Sequence, residues 1–430
     1  MVLLRNDFSS VRVGVRWDKR VTTKLRLGID HLLEDQNLRK SLAGRRVALL
    51  AHPASMTSPE LGFRHSIDAI ASCREIQLTS AFGPQHGLRG DKQDNMIESE
   101  DFRDPELGIP VYSLYGKVRR PTSEMLDSFD VLLFDVQDVG CRIYTFLTTL
   151  LYVLEAGAKA GKAVWVLDRP NPAGRPVEGM ALLPGWESFV GAAAGIPMRH
   201  GMTLGEMARW FVKRLKLDVE LNVVPMQGYR LTARDAGWGW PSASLPWVNP
   251  SPNAASVNMA RAYAGTVLIE GTQLSEGRGT TRALELQGAP GIPMREILKW
   301  MQTQAPDWLE GCRLRSCFFE PTFHKHQKQL NAGFQIHAED PLYDPERFKP
   351  YRLITLWFKA IRTLCPEQEV WRDFAYEYET TRLAIDVING SPRLRQWVDD
   401  PRARPSDFEE LCVPEEKAWL EDRREFLLYD

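Results

Sequence analysis

Short, unbroken apolar runs separated by segments of helical periodicity dominate the first half of the chain. RRVALLAH (45–52), EIQLTSAF (75–82), PVYSL (110–114), DVLLFDVQD (130–138) and AVWVLDRP (163–170) each read as a strand. Helical stretches are predicted over 58–73, 122–129, 145–160 and 203–215, the last leading into the strand-like DVELNVVPM. The strands are apolar at consecutive rather than alternate positions, as strands buried on both faces are. With helices between several of them, they predict an α/β fold built on a doubly wound, mostly parallel sheet.

The pattern breaks at GWGWPSASLPWVNPSPN (237–253), a Pro-, Gly-, Ser- and Trp-rich stretch too long for a simple turn. A domain boundary is placed there, near Pro250. Beyond it, helices over 293–304 and 380–389 and the strands RLRSCFFEP and AGFQIHAED predict a smaller α/β (α+β) C-terminal domain. The expected organisation is a poorly ordered leader (1–23), an N-terminal domain (24–250) and a C-terminal domain (251–430) closing a cleft.

Composition narrows the function. The 430 residues hold 54 Lys+Arg against 56 Asp+Glu, a net charge of −2, with no basic stripe, so nucleic acid is not the expected partner. No apolar run reaches the roughly 18–20 residues a membrane span requires. The first apolar stretch is broken by Arg5 and Asp7, which denies it a signal-peptide core, and six cysteines without a CxxC pair read as reduced thiols. The expectation is a cytoplasmic protein acting on a small molecule.

Ligands of open parallel sheets bind beyond the carboxyl ends of the strands. Those ends carry His52, then Gln85, His86 and Arg89 in FGPQHGLRG. Next come Asp135, Gln137 and Asp138 with Arg142 and Tyr144, and finally Asp168, Arg169 and Asn171 in DRPNP. Polar groups at every strand end suit a hydrogen-bonding ligand; as an alternative, the aspartates cap the helices that follow. The chain has no GxGxxG after its first strand and no GxxxxGK[ST], so no nucleotide cofactor is expected, and no metal either, because HKH (324–326) has the wrong spacing for two ligands on one helical face and the other histidines are dispersed. IEGTQLSEGRGTTR (269–282) places Glu270, Glu276, Arg278 and Arg282 in a Gly/Thr-rich segment. Glycoside hydrolysis usually needs two carboxyl groups, which a cleft between the strand rim and this segment would supply. Trp238, Trp240 and Trp247 either offer faces to a pyranose ring or pack the domain junction.

GPQHGLRG, YSLYG (112–116), DVQDVGCRIYTF (135–146), DRPNP…VEG (168–179), RHGMTLGE (199–206), SPN (251–253) and EGTQLSEGRGTT (270–281) occur in this order. Together they resemble the exo-β-N-acetylmuramidases of glycoside hydrolase family 171. That resemblance implies a Rossmann-like N-terminal domain, a smaller C-terminal domain, a cleft site, and release of terminal N-acetylmuramic acid from peptidoglycan fragments without metal or organic cofactor. It departs from the family at one place: the motif usually reads PEHG, and here its glutamate is Gln85. A carboxamide is neither a proton donor of carboxylic strength nor a carboxylate nucleophile. Three readings stay open. Glu276, Asp138 or Asp168 carries acid–base duty while Gln85 binds substrate; the substrate's acetamido group is the nucleophile and Gln85 orients it; or the protein binds amino sugars without turnover. The lactyl carboxylate of N-acetylmuramic acid calls for an arginine fork, with Arg142 and Arg278 first and Arg89 next. His86 and His200 are candidate hydrogen-bond donors or proton carriers. Asp135, Tyr144, Arg169, Asn171, Asn253 and Glu270 complete the expected binding set.

Overall fold

The computed structural model describes residues 24–88, 90, 98–232, 239–377 and 379–430. Its main sheet is formed by β1 (Arg46–Ala51), β2 (Gln77–Gly83), β3 (Phe102–Arg103), β4 (Pro110–Ser113), β5 (Val131–Asp135), β6 (Ala163–Leu167) and, after the antiparallel hairpin β7 (Glu178–Ala181)/β8 (Pro197–Arg199), β9 (Leu221–Val224). The spatial order is β3-β4-β2-β1-β5-β6-β9, with every pairing parallel except the β3–β4 edge. From β1 the chain steps outward first through β2 and β4, then on the other side through β5, β6 and β9. The order therefore reverses between β1 and β5, and a crevice opens there at the carboxyl edge.

Burial explains the continuous apolar strands. Ala48, Leu50, Phe82, Leu132, Phe134, Val164 and Val166 face one core, while Val47, Leu49, Ala81, Leu133, Trp165 and Leu167 face the other. The second core is covered by α1 (Gly28–Glu34), α2 (Gln36–Leu42) and α3 (Ser66–Ala71). The first contains α4 (Ser123–Asp127), α5 (Thr145–Ala160) and α6 (Leu204–Arg214), and it runs without a break into the C-terminal half. The single helix expected over 58–73 is instead two pieces, Pro59–Leu61 and Ser66–Ala71. Gly62 (φ 88°) and Phe63 (φ 50°) both take left-handed backbone between them, which no continuous α-helix tolerates.

The C-terminal half sets α7 (Val257–Thr266) and α8 (Met294–Gln304) around a three-stranded antiparallel sheet of β10 (Leu286–Ala289), β11 (Arg313–Phe319) and β12 (Asn331–His337), in the order β10-β12-β11. At its centre lies α9 (Pro350–Leu364), buried at every residue from Pro350 to Ile361, the charged Arg352 and Lys359 included. α10 (Ala384–Asn389), α11 (Arg393–Asp399) and α12 (Pro405–Asp422) follow. Glu178 on β7 ties the halves together. Its carboxylate accepts from the backbone N–H groups of Tyr351 and Arg352, filling the cap that α9 lacks in its own sequence. The Arg352 side chain then pairs with Glu409 and Glu416 of α12.

α1 lies directly on the sheet because Gly28 has no side chain. A Cβ there would sit 2.2 Å from the Asp168 nitrogen and 2.6 Å from the Val224 carbonyl, both rigid backbone. Gly28→Ala is expected to lower stability by about 1–3 kcal/mol, measured by urea denaturation, since overpacking against backbone cannot relax by a rotamer change.

Candidate active site

The carboxyl edge of the sheet opens onto a cavity with an empty volume of about 440 Å³. The turn after β2 supplies Gln85 and His86, and the segment entering α5 supplies Tyr144 and Thr145. From the C-terminal half come Asn253, Tyr263, Glu270, Arg278, Tyr376 and Glu377. Two of these lining residues, His86 (φ 70°) and Glu377 (φ 46°), hold left-handed backbone that non-glycine residues seldom adopt, a strain that concentrates at functional sites.

The segment 269–282 is organised by Arg278, the one arginine or lysine on the cavity wall among the described residues. Its Nη2 donates to Glu270 Oε1 at 2.6 Å and its Nε to Glu276 Oε1 at 3.1 Å, while Nη1 is buried without a hydrogen-bond partner. Tyr376 donates its hydroxyl to the other oxygen of Glu270 at 2.8 Å. Glu276 lies off the wall, where Lys325 Nζ approaches to 2.7 Å and His324 Nδ1 to 3.5 Å. Burial alone would raise the Glu276 carboxyl, but Lys325, Arg278 and His324 outweigh it and hold it down at about 2. Glu276 is thus a buried carboxylate held between Arg278 and Lys325, off the wall on which its expected acid–base duty would place it.

Asp168 is corrected on different grounds. It accepts from Thr203 Oγ1 (2.7 Å), the Gly205 N–H (2.8 Å), the Arg169 N–H (3.1 Å) and the Tyr429 hydroxyl (2.8 Å), so it caps the start of α6 and is saturated with donors. Asp135 and Arg169 form a buried two-pronged pair at 2.6 and 2.9 Å. Asn171 spends its amide on the Gly174 and Met202 carbonyls and its oxygen on the Ala173 N–H. Arg142 is fully buried and donates to the Ile388 and Asn389 carbonyls at the end of α10. A cation there complements the helix C-terminus. None of these five residues lines the cavity.

Asp138 and His200 lie off the wall as well. Asp138 Oδ2 accepts from the Gly140 N–H at 2.7 Å, its Oδ1 has no partner, and burial pushes the carboxyl up to about 7. His200 Nε2 stands 4.0 Å from Asp138, and burial pushes the imidazole down to about 3, leaving it neutral. Arg89 and Trp238 lie outside the described residues. Trp240 and Trp247 meet edge to face at 4.8 Å, and Trp247 donates to the Ala254 carbonyl at 2.9 Å. They pack the junction, and the aromatic faces on the cavity belong to Tyr144, Tyr263 and Tyr376. Among the described residues no group of three or more His, Cys, Asp or Glu side chains is arranged to hold a metal ion.

The residue that sequence reasoning missed is Glu377. It accepts from the Tyr115 hydroxyl at 3.0 Å through both carboxyl oxygens. The Gln85 carboxamide also bonds it, and Thr145 Oγ1, donating to Gln85 Oε1 at 2.7 Å, turns the amide NH2 toward that contact. Burial pushes the Glu377 carboxyl up to about 7 against the lowering effect of Tyr115, Arg119 and Gln85, and the charge of Glu270 adds to the rise. FAYEYETTR (374–382) shows no motif that marks this glutamate. Glu276→Gln is expected to cost about 3–5 kcal/mol in urea denaturation, because it strips Lys325 and half of Arg278 of a buried counter-charge.

The family model for the N-terminal part of the exo-beta-N-acetylmuramidase NamZ matches residues 47–258, and that for the C-terminal part matches 261–429. The chain is 41% identical over 410 residues to the peptidoglycan beta-N-acetylmuramidase NamZ of Bacillus subtilis (strain 168), covering 94% of this chain and 92% of that protein. A crystal structure of a DUF1343 family protein from Bacteroides fragilis NCTC 9343 superposes with a TM-score of 0.81 at 27% identity, over 96% of this chain and 100% of that one. A second protein of that family and organism (TM-score 0.69, 22% identity, 95% and 99% coverage) shares the fold. The chain belongs to the exo-beta-N-acetylmuramidase NamZ family.

Proposed function

We propose that this chain is a β-N-acetylmuramidase that releases single N-acetylmuramic acid residues from the non-reducing end of peptidoglycan fragments. The observation that carries the reading is the cavity itself. Gln85, His86, Tyr144 and Asn253 from the recognised motifs converge there with Glu270 and Arg278 from a distant segment, on the wall of one small space.

Each wall group has a task in this reaction. Arg278 keeps Nη1 free of protein partners and supplies the donor for the lactyl carboxylate that distinguishes N-acetylmuramic acid from N-acetylglucosamine. Glu270, gripped by Arg278 and Tyr376, presents a carboxylate toward the developing positive charge at the anomeric carbon. The Gln85 amide, fixed by Thr145, orients the 2-acetamido group. No described helix is long and apolar enough to cross a membrane, and we place the enzyme in the cytoplasm, acting on imported wall fragments during cell-wall recycling.

Purified protein given 4-nitrophenyl β-N-acetylmuramide is expected to release nitrophenol. The corresponding N-acetylglucosaminide should be slower in kcat/KM by at least a factor on the order of 100, because it leaves a buried guanidinium donor unpaired. Binding of the muramide without hydrolysis of either compound would mean a receptor for amino sugars rather than an enzyme.

A further inference from the structure

Carboxyl groups on and around the cavity differ in what they can do with a proton. Glu276 is held as an anion by Arg278 and Lys325, Asp168 is saturated by four donors, and Asp138 stands off the wall. Glu270 has one oxygen on Arg278 and the other on Tyr376. Gln85 has no acidic proton. Glu377 is left: on the wall, nine-tenths buried, and contacted by the neutral donors Tyr115 and Gln85.

We propose that Glu377 is the catalytic acid of this site, delivering the proton that the departing aglycone requires. The assignment rests on the glycoside-hydrolase reading above. As the bond between the anomeric carbon and the glycosidic oxygen breaks, its electron pair passes to that oxygen, which takes the Glu377 proton and leaves as an alcohol. Water then gives its hydroxyl to the anomeric carbon and its remaining proton to the Glu377 carboxylate, which restores the acid. Glu377 holds left-handed backbone (φ 46°), a conformation that non-glycine residues seldom adopt and that concentrates at functional sites.

The protonation state suits the task. The groups facing Glu377 are Tyr115 and Arg119 from the first half, and Glu270 and Tyr376 from the second, with His86 on the same wall. With its carboxyl at about 7, the acid form is present below neutrality and is lost as pH rises. The kcat/KM of the wild type on a muramyl disaccharide is therefore expected to fall about tenfold per pH unit above pH 7.

The test compares two aglycones in Glu377→Gln. On the disaccharide, whose alkoxide leaving group needs a proton, kcat/KM is expected to drop by roughly 10²–10⁴ with loss of the alkaline limb. On the 2,4-dinitrophenyl muramide, whose leaving group departs as a stable anion, the drop should stay under about tenfold. Calorimetric binding of free N-acetylmuramic acid by the variant checks that the cavity is intact. Equal losses on both substrates, an unchanged rate on the disaccharide, or an alkaline limb that persists in the variant overturns the assignment and, in the last case, points to Asp138. Should E377Q not fold, Glu377→Asp keeps a carboxyl one methylene short, and its loss in kcat/KM on the disaccharide is expected to exceed its loss on the dinitrophenyl muramide by at least about tenfold; equal losses on the two substrates overturn the proposal. A wild type that hydrolyses neither substrate fails the glycosidase reading itself, a result distinct from all of these.

Discussion

Arg278 grips two carboxylates at once, and the architecture of the cavity follows from that grip. One prong fixes Glu270 on the wall, the other fixes Glu276 behind it, and Glu276 in turn holds Lys325. Lys325 also donates to the Ile269 and Thr272 carbonyls, so the 324–330 loop is fastened over the same segment. Tyr376, reaching Glu270 from the other side, brings the 374–377 stretch to the cavity and Glu377 with it. The cluster contains two cations and two anions, so a substrate carboxylate enters a region already balanced in charge. Buried ion pairs are weak evidence for stability because desolvation offsets their attraction. Here they fix positions, and the catalytic geometry depends on them.

The division of labour among carboxyl groups is electrostatic. Glu276 and Glu377 are both buried, yet one is held at about 2 and the other lifted to about 7. Cations surround the first; hydroxyl and amide groups touch the second. A glycosidase needs one carboxyl that keeps its charge and one that carries a proton, and pairs of titratable groups whose surroundings push them apart are how a protein provides both. Gln85, which looks like a missing acid when read in isolation, is the neutral neighbour that accompanies the protonated one.

The fold was legible because its cause is local. Strands buried on both faces must be largely apolar, and β1 beyond Arg46, β5 as far as Phe134 and all of β6 display that directly. The site was legible where a residue sits at the end of such a strand or in a glycine-rich turn: Gln85, His86, Tyr144, Glu270 and Arg278 do line the cavity. The same rule over-predicted Asp168, Asp135, Arg169 and Asn171, since strand ends also hold caps and ion pairs that close the fold. Arg142 and Glu178 carry recognisable motifs for structural reasons, one at the end of α10 and the other at the start of α9. Glu377 was invisible because its relation to Gln85 spans nearly three hundred residues and is made by tertiary folding alone.

The far end of the chain returns to the first domain. Tyr429 donates to Asp168 at 2.8 Å and accepts from the Met226 N–H, Leu428 donates to Glu206, and Leu231 donates to the Asp430 carbonyl. Domains commonly fold as units while the ribosome is still at work, N-terminal first. This protein lacks that option in full. The β6–β9 side of its first domain is without these contacts until residues 428–430 have been made, so a nascent chain that ends earlier leaves that seam uncovered.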